Sequence, residues 1–301
     1  MGAPGPSTTI GDRDLPPLYT VSDRRAVSRQ GESFRLVRTQ LVVLLLATAA
    51  ATLAERLDSR APAVLAAVLY ALTIVTGLRT SSRRARAHWQ AHRAVAETVK
   101  SLAWQYMACG GPFRSGVPDP DGLFAERLEE RLRELRRMGW GDPRDTAALG
   151  AGQITATMRA VRAKPFAARR DIYLRDRVLE QIVWYGNRAA GSHRVAVRWS
   201  TVTAALTALA LVAAVLRALG VTGAWDLTGP ASAAAAAGVA WQEVRRHRPL
   251  TYAHTLIRTE LETLRVTMST TVMEDGWAEA VAEAERLVSP LHTEWLTRFG
   301  A

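Results

Sequence analysis

The feature that most constrains the fold is a segment, residues 200–216, that contains no charged side chain and is bracketed by Arg198 and Arg217. Upstream of it, from residue 171, charged and apolar residues recur with the period of an α-helix, and no proline separates the two parts. A helix that is amphipathic along one part and uniformly apolar along the next is typical of a chain that leaves water and enters a membrane.

Three further apolar segments make up two pairs with this one. Residues 39–54 and 61–78 are separated only by a short turn, 55–60, and residues 200–216 are followed by 227–241 after a glycine-containing link. The repeated layout predicts an internal duplication in which both hairpins insert in the same direction. We therefore expect an all-α membrane protein with two tandem transmembrane hairpins, four spans in total, and cytoplasmic helical extensions.

The four apolar segments are short for membrane-spanning helices. They correspond to about 24 to 27 Å of helix, against roughly 30 Å of hydrocarbon, so flanking apolar residues and snorkelling arginines have to complete the spans. The segment 227–241 contains an alanine run and, taken alone, fits a buried soluble helix equally well. A water-soluble bundle is the alternative for all four segments, and it is disfavoured because the first three lack the charged face of a soluble helix.

The positive charge of the chain, +11 overall, is concentrated on the sides of the apolar segments that lie away from the two short turns. By the positive-inside rule this predicts a multi-pass protein of the bacterial inner membrane with both termini in the cytoplasm. Arginines beside the spans are expected to contact anionic lipid headgroups, because no nucleic acid is needed to explain them; these are Arg79, Arg83, Arg84, Arg245 and Arg246.

Outside the spans the sequence divides into three parts. Residues 1–30 begin with a stretch rich in proline, glycine, serine and threonine, which predicts a disordered tail. The boundary between two further parts, residues 31–145 and residues 153–301, lies in a stretch with several glycines, 139–152. Each of these two parts is predicted to form one unit that contains a hairpin and the helices that follow it.

The sequence contains no motif for catalysis or cofactor binding. His88 and His92 have the spacing of a two-histidine zinc pair on a helix, but no acidic residue lies between them and no third ligand is evident. Cys109 is the only cysteine, which excludes an internal disulfide and a cysteine-based metal cluster. We expect no enzyme activity, no cofactor and no metal.

Threonines form polar stripes inside the apolar segments, and two interpretations remain open for them. Their hydroxyls can bond to carbonyl groups of their own helix or of a neighbouring helix. Alternatively, one stripe lines a water-filled pore in an oligomer. The pore-lining candidates are Thr48, Thr52, Thr73, Thr76, Thr203 and Thr207.

The helix that leads into residues 200–216 carries a column of candidate residues for receiving a signal or a partner helix. They follow one another at helical spacing, which places them on neighbouring rows of one helix; the candidates are Tyr173, Arg177, Gln181, Trp184 and Tyr185.

These residues resemble a known family. The column Tyr173 to Tyr185, followed by Ala189 and a two-span hairpin, is similar to the opening of SLATT domains, the two-transmembrane effector modules of bacterial nucleotide-dependent conflict systems. The first half resembles another branch of the same superfamily, which indicates a tandem two-domain form. The residues that carry this second likeness are Ala96, Glu97, Lys100, Trp104, Tyr106 and 110–113. At the end of the chain, Glu285, Glu294 and Trp295 are similar to the tail of the second branch.

The resemblance implies a membrane effector that forms pores as a homo-oligomer when a nucleotide second messenger or a partner protein signals infection. Because no nucleotide-binding or synthase domain is evident in this sequence, we expect any nucleotide-synthesising or nucleotide-sensing partner to be a separate protein. The alternative is a membrane-anchored scaffold or sensor that recruits a cytoplasmic partner without conducting. In that case Gln181, Trp184 and Tyr185 would be binding residues.

Overall fold

A computed structural model describes residues 9–80, 83–137, 152–221, 227–270 and 272–289. All regular structure in these ranges is helical, which confirms the predicted all-α class. The helices are α1 (Pro17–Leu57), α2 (Arg60–Thr80), α3 (Arg83–Ala108), α4 (Pro120–Arg137), α5 (Ala156–Arg162), α6 (Phe166–Tyr173), α7 (Glu180–Ala218), α8 (Thr228–Arg245), α9 (His247–Thr270) and α10 (Trp277–Leu287). A π-helical segment, Leu174–Leu179, joins α6 to α7.

The order of helix lengths repeats along the chain. A very long helix of 41 residues, α1, is followed by helices of 21, 26 and 18 residues, α2 to α4. The second half has α7 with 39 residues, then α8, α9 and α10 with 18, 24 and 11 residues. Such a sequence of lengths is what a duplicated hairpin module with trailing helices would give.

The chain forms two compact units, and both halves of the sequence contribute to each. The first unit comprises Met1–Arg29, Ala87–Ala189 and Thr251–Ala301, and the second comprises Gln30–Arg86 and Ala190–Leu250. This division differs from the sequence-based division at residues 145–153, which separates one hairpin module from the next. Each compact unit instead contains equivalent helices from both modules. The second unit contains the paired apolar helices, and the first contains the helices that follow them.

The second unit holds the apolar hairpins. Three helical stretches are long and apolar enough to cross a membrane, namely Phe34–Leu57, Arg60–Leu78 and part of Phe166–Ala218, and they contain the first three predicted segments. Only 6% of the most apolar window of α2 is buried, so its large apolar side chains face outward, as on a lipid-exposed surface. The fourth predicted segment forms α8, which does not reach this level of hydropathy in the described residues.

Helix α8 is nevertheless well packed inside the second unit. Its buried positions are Ala231, Ala235, Ala237 and Gly238, all small residues that let neighbouring helices approach closely. On one side, a Cβ atom at Gly238 would lie 2.9 Å from the Thr203 hydroxyl of α7. On the other side, Trp241 and Phe34 of α1 pack edge to face with ring centroids 6.5 Å apart.

The N-terminal segment is ordered further than its composition suggests. The structure describes the predicted tail, 1–30, from residue 9 onward, and α1 begins at Pro17. Leu15, Leu18 and Tyr19 are buried in the core of the first unit. The prediction of disorder is therefore wrong for this part, because three apolar side chains anchor a segment whose composition is otherwise that of a linker.

In the first unit, α10 packs against the end of α3, where the chain turns sharply. The turn needs positive φ angles at Cys109 (56°) and Gly111 (52°), a conformation that glycine adopts without strain. Between them, Gly110 lies directly against the Val281 side chain of α10, and a Cβ atom there would overlap it. The glycine pair at 110–111 is therefore required both by the turn and by the close approach of α10.

This contact gives a stability prediction. Gly110→Ala should lower the thermal unfolding midpoint of the detergent-solubilised protein, because overpacking a close contact costs about 1 to 3 kcal/mol. Gly191→Ala is the matched control, since nothing lies within 4 Å of that position in α7 and alanine favours the helix by up to about 1 kcal/mol. Equal midpoints for the two variants would contradict the proposed packing at Gly110.

Candidate functional site

The centre of the first unit is a fully buried ion pair between the π-helical segment and α10. The Arg177 guanidinium donates from Nε to Glu285 Oε1 over 2.9 Å and from Nη2 to Oε2 over 2.7 Å. Both side chains are only 2% exposed. The Tyr173 hydroxyl donates to the same Glu285 Oε1 over 3.0 Å. One carboxylate therefore collects three hydrogen bonds from two adjacent turns of helix.

This cluster is stable only when both of its charged side chains are present. The two parallel N–H···O bonds are the strong, directional form of an arginine–carboxylate pair. Moving two charges out of water costs several kcal/mol each, and only their mutual contact offsets this cost. Loss of either partner would leave an uncompensated charge in the core, so α10 and the π-helical segment are held in one relative position.

The π-helical segment explains how the polar residues reach the core. A π-helix has hydrogen bonds between residues five apart instead of four, which changes the faces on which successive side chains lie, and it is frequent at functional sites. Here it turns Asp176, Arg177 and Val178, three consecutive residues, into buried positions. Asp176 accepts two hydrogen bonds from Arg175, over 2.6 and 2.8 Å, and one from the Ile10 backbone N–H over 3.1 Å.

Aromatic side chains from both halves of the sequence surround the ion pair. The Tyr173 ring lies edge to face with Trp104 of α3, with centroids 6.0 Å apart, and with Trp277 of α10 at 5.8 Å. The indole N–H of Trp277 donates to the Ala108 carbonyl over 2.8 Å. Tyr173 from the second half and Trp104 from the first, which both carry the family likeness, thus belong to a single core. Glu294 and Trp295 lie outside the described residues.

A second aromatic group lies further along α7. The ring of His254 packs on Trp184 and Tyr185, with centroids 5.8 and 5.5 Å apart, and the Tyr185 hydroxyl donates to the Val288 carbonyl over 3.3 Å. Burial, and then the nearby positive charge of Arg188, lower the pKa of His254 to about 4. This histidine is therefore neutral at physiological pH.

The predicted signal column lies mostly inside the protein. Tyr173, Arg177 and Tyr185 are buried, whereas Gln181 and Trp184 are half-buried. The column is therefore a packing surface for the chain's own α9 and α10. On the adjacent row of side chains, Leu179 and Val183 are instead exposed to solvent, by 39% and 54%.

The threonine hydroxyls bond back to their own helices. Donation to the carbonyl four residues earlier occurs at Thr48, Thr52, Thr73, Thr76 and Thr207. Thr203 instead accepts a hydrogen bond from the Gln242 amide of α8 over 3.0 Å. Thr207 is the one pore-lining candidate whose side chain is exposed on the surface of the described chain.

Among the predicted lipid contacts, the side chains of Arg79, Arg83 and Arg84 lie outside the described part of the structure. Arg245 and Arg246 are described and end helix α8. The Arg245 guanidinium stacks on the Phe34 ring at 4.3 Å from its centroid.

No group of side chains in the described ranges could hold a metal ion. Of the two histidines with zinc-like spacing, His92 is buried, and the side chain of His88 is outside the described residues.

The sequence pointed to Arg177 and Tyr173 but not to the residue that binds them. Glu285 stood out only through the family likeness at the end of the chain. It lies 108 residues from Arg177, and no local spacing rule links positions so far apart. The one available signal was an acidic residue on the apolar face of an amphipathic helix, where α10 buries Val281, Ala284 and Glu285.

The fold and this core define a class, an all-helical membrane protein with membrane-compatible helices and a core built around a buried ion pair. Residues 16–170 match the SMODS and SLOG-associating 2TM effector domain 3, and residues 173–295 match the SMODS and SLOG-associating 2TM effector domain 1. The chain therefore belongs to the SLATT superfamily, in a tandem two-domain form. No curated protein and no solved structure matches it.

The buried pair between Arg177 and Glu285 predicts that two glutamates of α10 differ strongly in their contribution to stability. Glu285→Ala should destabilise the protein by about 3 to 5 kcal/mol, because it leaves the Arg177 charge buried without its partner. Glu283→Ala removes a solvent-exposed pair with Arg286 on the same helix and should leave the unfolding midpoint close to that of wild type. Thermal unfolding midpoints in detergent measure both, and similar midpoints would contradict the assigned role of Glu285.

His254 predicts a pH dependence. Because its pKa is about 4 in the folded protein and about 6.5 in the unfolded chain, the unfolded chain binds a proton first as the pH falls. Its contribution to stability is complete above pH 6.5 and decreases toward pH 4. Unfolding midpoints measured between about pH 7 and about pH 4 should therefore fall less steeply in His254→Gln than in wild type. His193→Gln, at an exposed position, should retain the wild-type slope.

Proposed function

We propose that the protein is an oligomeric, pore-forming effector of the bacterial inner membrane that permeabilises this membrane when a defence or conflict response is triggered. The observation that carries the proposal is the occurrence of three membrane-compatible helices within two tandem two-transmembrane effector domains. The proposal includes no enzyme activity, no cofactor and no nucleic-acid partner. The trigger would come from a separate protein that makes or senses a nucleotide.

The proposal includes α8 as a fourth span. A membrane helix needs strongly apolar residues only where it faces lipid, and α8 has neighbours on two sides. Gly238 and Gln242 lie against Thr203 of α7, and a Cβ atom at Gly229 would lie 4.0 Å from the Thr52 hydroxyl of α1. This packing supports a central helix in the bilayer whose alanine-rich surface touches protein instead of lipid.

The proposed topology places both termini in the cytoplasm. The α1–α2 turn holds Asp58 in a left-handed conformation (φ 42°), which allows a reversal in a short connection. Only Arg56, Arg60 and Arg217 lie beside the two outward-facing connections, whereas the opposite ends of the hairpins carry many arginines. This asymmetry supports the orientation through the positive-inside rule.

A pore requires more than one chain in this proposal, because polar side chains between the two helices of the second hairpin are already bonded to each other. Ser200, Thr203 and Gln242 form one such group. Thr207 lies on the outer surface of α7 and presents a hydroxyl oxygen there, although its proton is donated to the Thr203 carbonyl over 2.9 Å. It is therefore the candidate best placed to face water between subunits.

The second candidate function is a membrane-anchored scaffold or sensor without conduction. It is favoured by the exposed apolar pair Leu179 and Val183, four residues apart on the first unit, which is a suitable anchor for a partner helix. In this version the binding residues are this pair and the half-buried Gln181 and Trp184, while the threonines have no role beyond packing.

Liposome leakage tests the proposal. The purified chain reconstituted with anionic lipid and its activating partner should release a trapped fluorescent dye or potassium, and Thr207→Val should slow this release severalfold by removing a polar atom from the pore wall. Thr203→Val is the control. It leaves the Gln242 amide without its acceptor and should lower stability by about 1 to 3 kcal/mol, but the rate of release from the folded, reconstituted protein should stay at the wild-type value.

Vesicles that stay sealed in the presence of the activated protein would contradict pore formation. The membrane-anchored scaffold would then be the remaining candidate function. In that case Leu179→Ser combined with Val183→Ser should abolish recruitment of the partner to the vesicles. Release that is unaffected by Thr207→Val would show that this threonine does not line the conducting path.

A further inference from the structure

A cavity in the first unit lies between the N-terminal segment and the helices α3 and α7, and its volume is about 140 Å³. A cavity of about 150 Å³ in another protein binds benzene, so this one has room for a molecule of about six non-hydrogen atoms. Its lining includes Ile10, Asp12, Leu15, Lys100, Trp104 and Glu180.

One residue of the lining has a buried hydrogen-bond donor without an acceptor. Trp104 is only 2% exposed, and its indole Nε1 has no hydrogen-bond partner among the described residues. The indole N–H of Trp277, in the same core, does have one, because it donates to the Ala108 carbonyl over 2.8 Å. Buried polar side-chain atoms are nearly always bonded to protein, water or a ligand. We therefore expect an acceptor from outside the chain to bind Trp104.

Lys100 supplies a second donor on the same face of α3, one turn before Trp104. This side chain is also buried, and its ammonium group donates to Asp12 Oδ1 over 3.3 Å and lies 5.2 Å from the centroid of the Tyr19 ring. An ammonium group has three N–H donors, so the contact with Asp12 leaves others for a ligand. Two donors one helical turn apart match the two oxygen atoms of a carboxylate.

The opposite charge is supplied by Glu180, the first residue of α7. Its side chain is exposed, lines the cavity, and forms no hydrogen bond or ion pair with any residue that the structure describes. Asp12, by contrast, already accepts from Lys100 and from the Tyr19 hydroxyl, over 3.3 and 3.1 Å. The carboxylate of Glu180 is thus available to a donor on a ligand.

The charges of the lining restrict the chemistry of this ligand. The carboxylates of Asp12 and Glu180 outweigh the single ammonium of Lys100, so a simple anion would meet a net repulsion. A simple cation would approach Lys100 and leave the Trp104 N–H without an acceptor. A molecule that carries both charges avoids the two difficulties.

We propose that this cavity binds a small zwitterion of the α-amino acid type, in which a carboxylate and an ammonium group lie close together. The carboxylate accepts from the Trp104 indole and from Lys100, and the ammonium group donates to Glu180. These are charge-assisted hydrogen bonds, the stronger kind. The short apolar part of the ligand lies against Ile10 and Leu15. The site does not depend on whether the protein conducts.

Isothermal titration calorimetry of the full-length protein in detergent tests the proposal with three probes. L-Alanine has the required size and both charged groups, whereas propionate lacks only its ammonium group and ethylamine lacks only its carboxylate. L-Alanine should bind, and each of the other two should bind at least about tenfold more weakly, because each loses hydrogen bonds to a charged group.

Three variants locate the binding. Glu180→Gln keeps the shape of the side chain and removes its charge, and it should weaken binding of L-alanine by about tenfold. Glu126→Gln, at an exposed position of α4 outside the cavity lining, is the matched control and should bind as wild type does. Trp104→Phe keeps an aromatic ring, removes the N–H, and should also weaken binding by about tenfold. If circular dichroism shows that this buried substitution prevents folding, the exposed Glu180→Gln carries the test.

Three results would overturn the proposal. The first is the absence of L-alanine binding to wild type, which would show that the cavity holds water only. The second is equal affinity for L-alanine and for either propionate or ethylamine, because the site would then not require both charges. The third is wild-type affinity in Glu180→Gln, which would place the binding elsewhere. Vesicles that stay sealed in the leakage experiment would leave all three results unaffected.

Discussion

The first unit depends on one buried contact, the bidentate pair between Arg177 and Glu285. Every element around it has a feature that serves this contact: the π-helical turn brings Arg177 inward, Tyr173 occupies a remaining lone pair of the carboxylate, and Gly110 lets α10 come close enough. A charged pair in a core is a poor source of net stability, since apolar residues of the same size could do as well. The bidentate pair does, however, require one particular distance and orientation of its two side chains, and it therefore determines where α10 has to lie.

The second unit depends on the opposite principle, close packing of small side chains. Its outer helices, α1, α2 and α7, expose large apolar residues, whereas α8 buries alanine and glycine between α1 and α7. Small residues offer little hydropathy but allow backbones to approach, and a few polar contacts such as Gln242 to Thr203 set the register. This division of roles explains why the fourth segment is the least apolar of the four and still belongs to the hairpin unit.

Much of the fold followed from periodicity and charge. Uncharged apolar runs located the first three membrane-compatible helices, and the repeated layout predicted further helices after each hairpin. Burial of residues 15–19 was missed because prolines and glycines around them dominate the composition. The π-helical segment was also missed, since it involves the same residues as an α-helix with one shifted hydrogen-bond pattern. Of the candidate site, Tyr173, Arg177 and Tyr185 were found as a column on one helix, but their partners α9 and α10 are distant in sequence.

The sequence by itself determined that the chain is helical, that it contains paired apolar hairpins in a duplicated order, and that it belongs with tandem two-transmembrane effector domains. These properties are local or periodic, so each can be read from residues within a few turns of one another. Only the tertiary structure decided that the trailing helices of both halves share one core and that Glu285 is the partner of Arg177. Those outcomes depend on contacts between residues far apart in the chain, which are fixed by packing and by the high cost of leaving a buried charge unpaired.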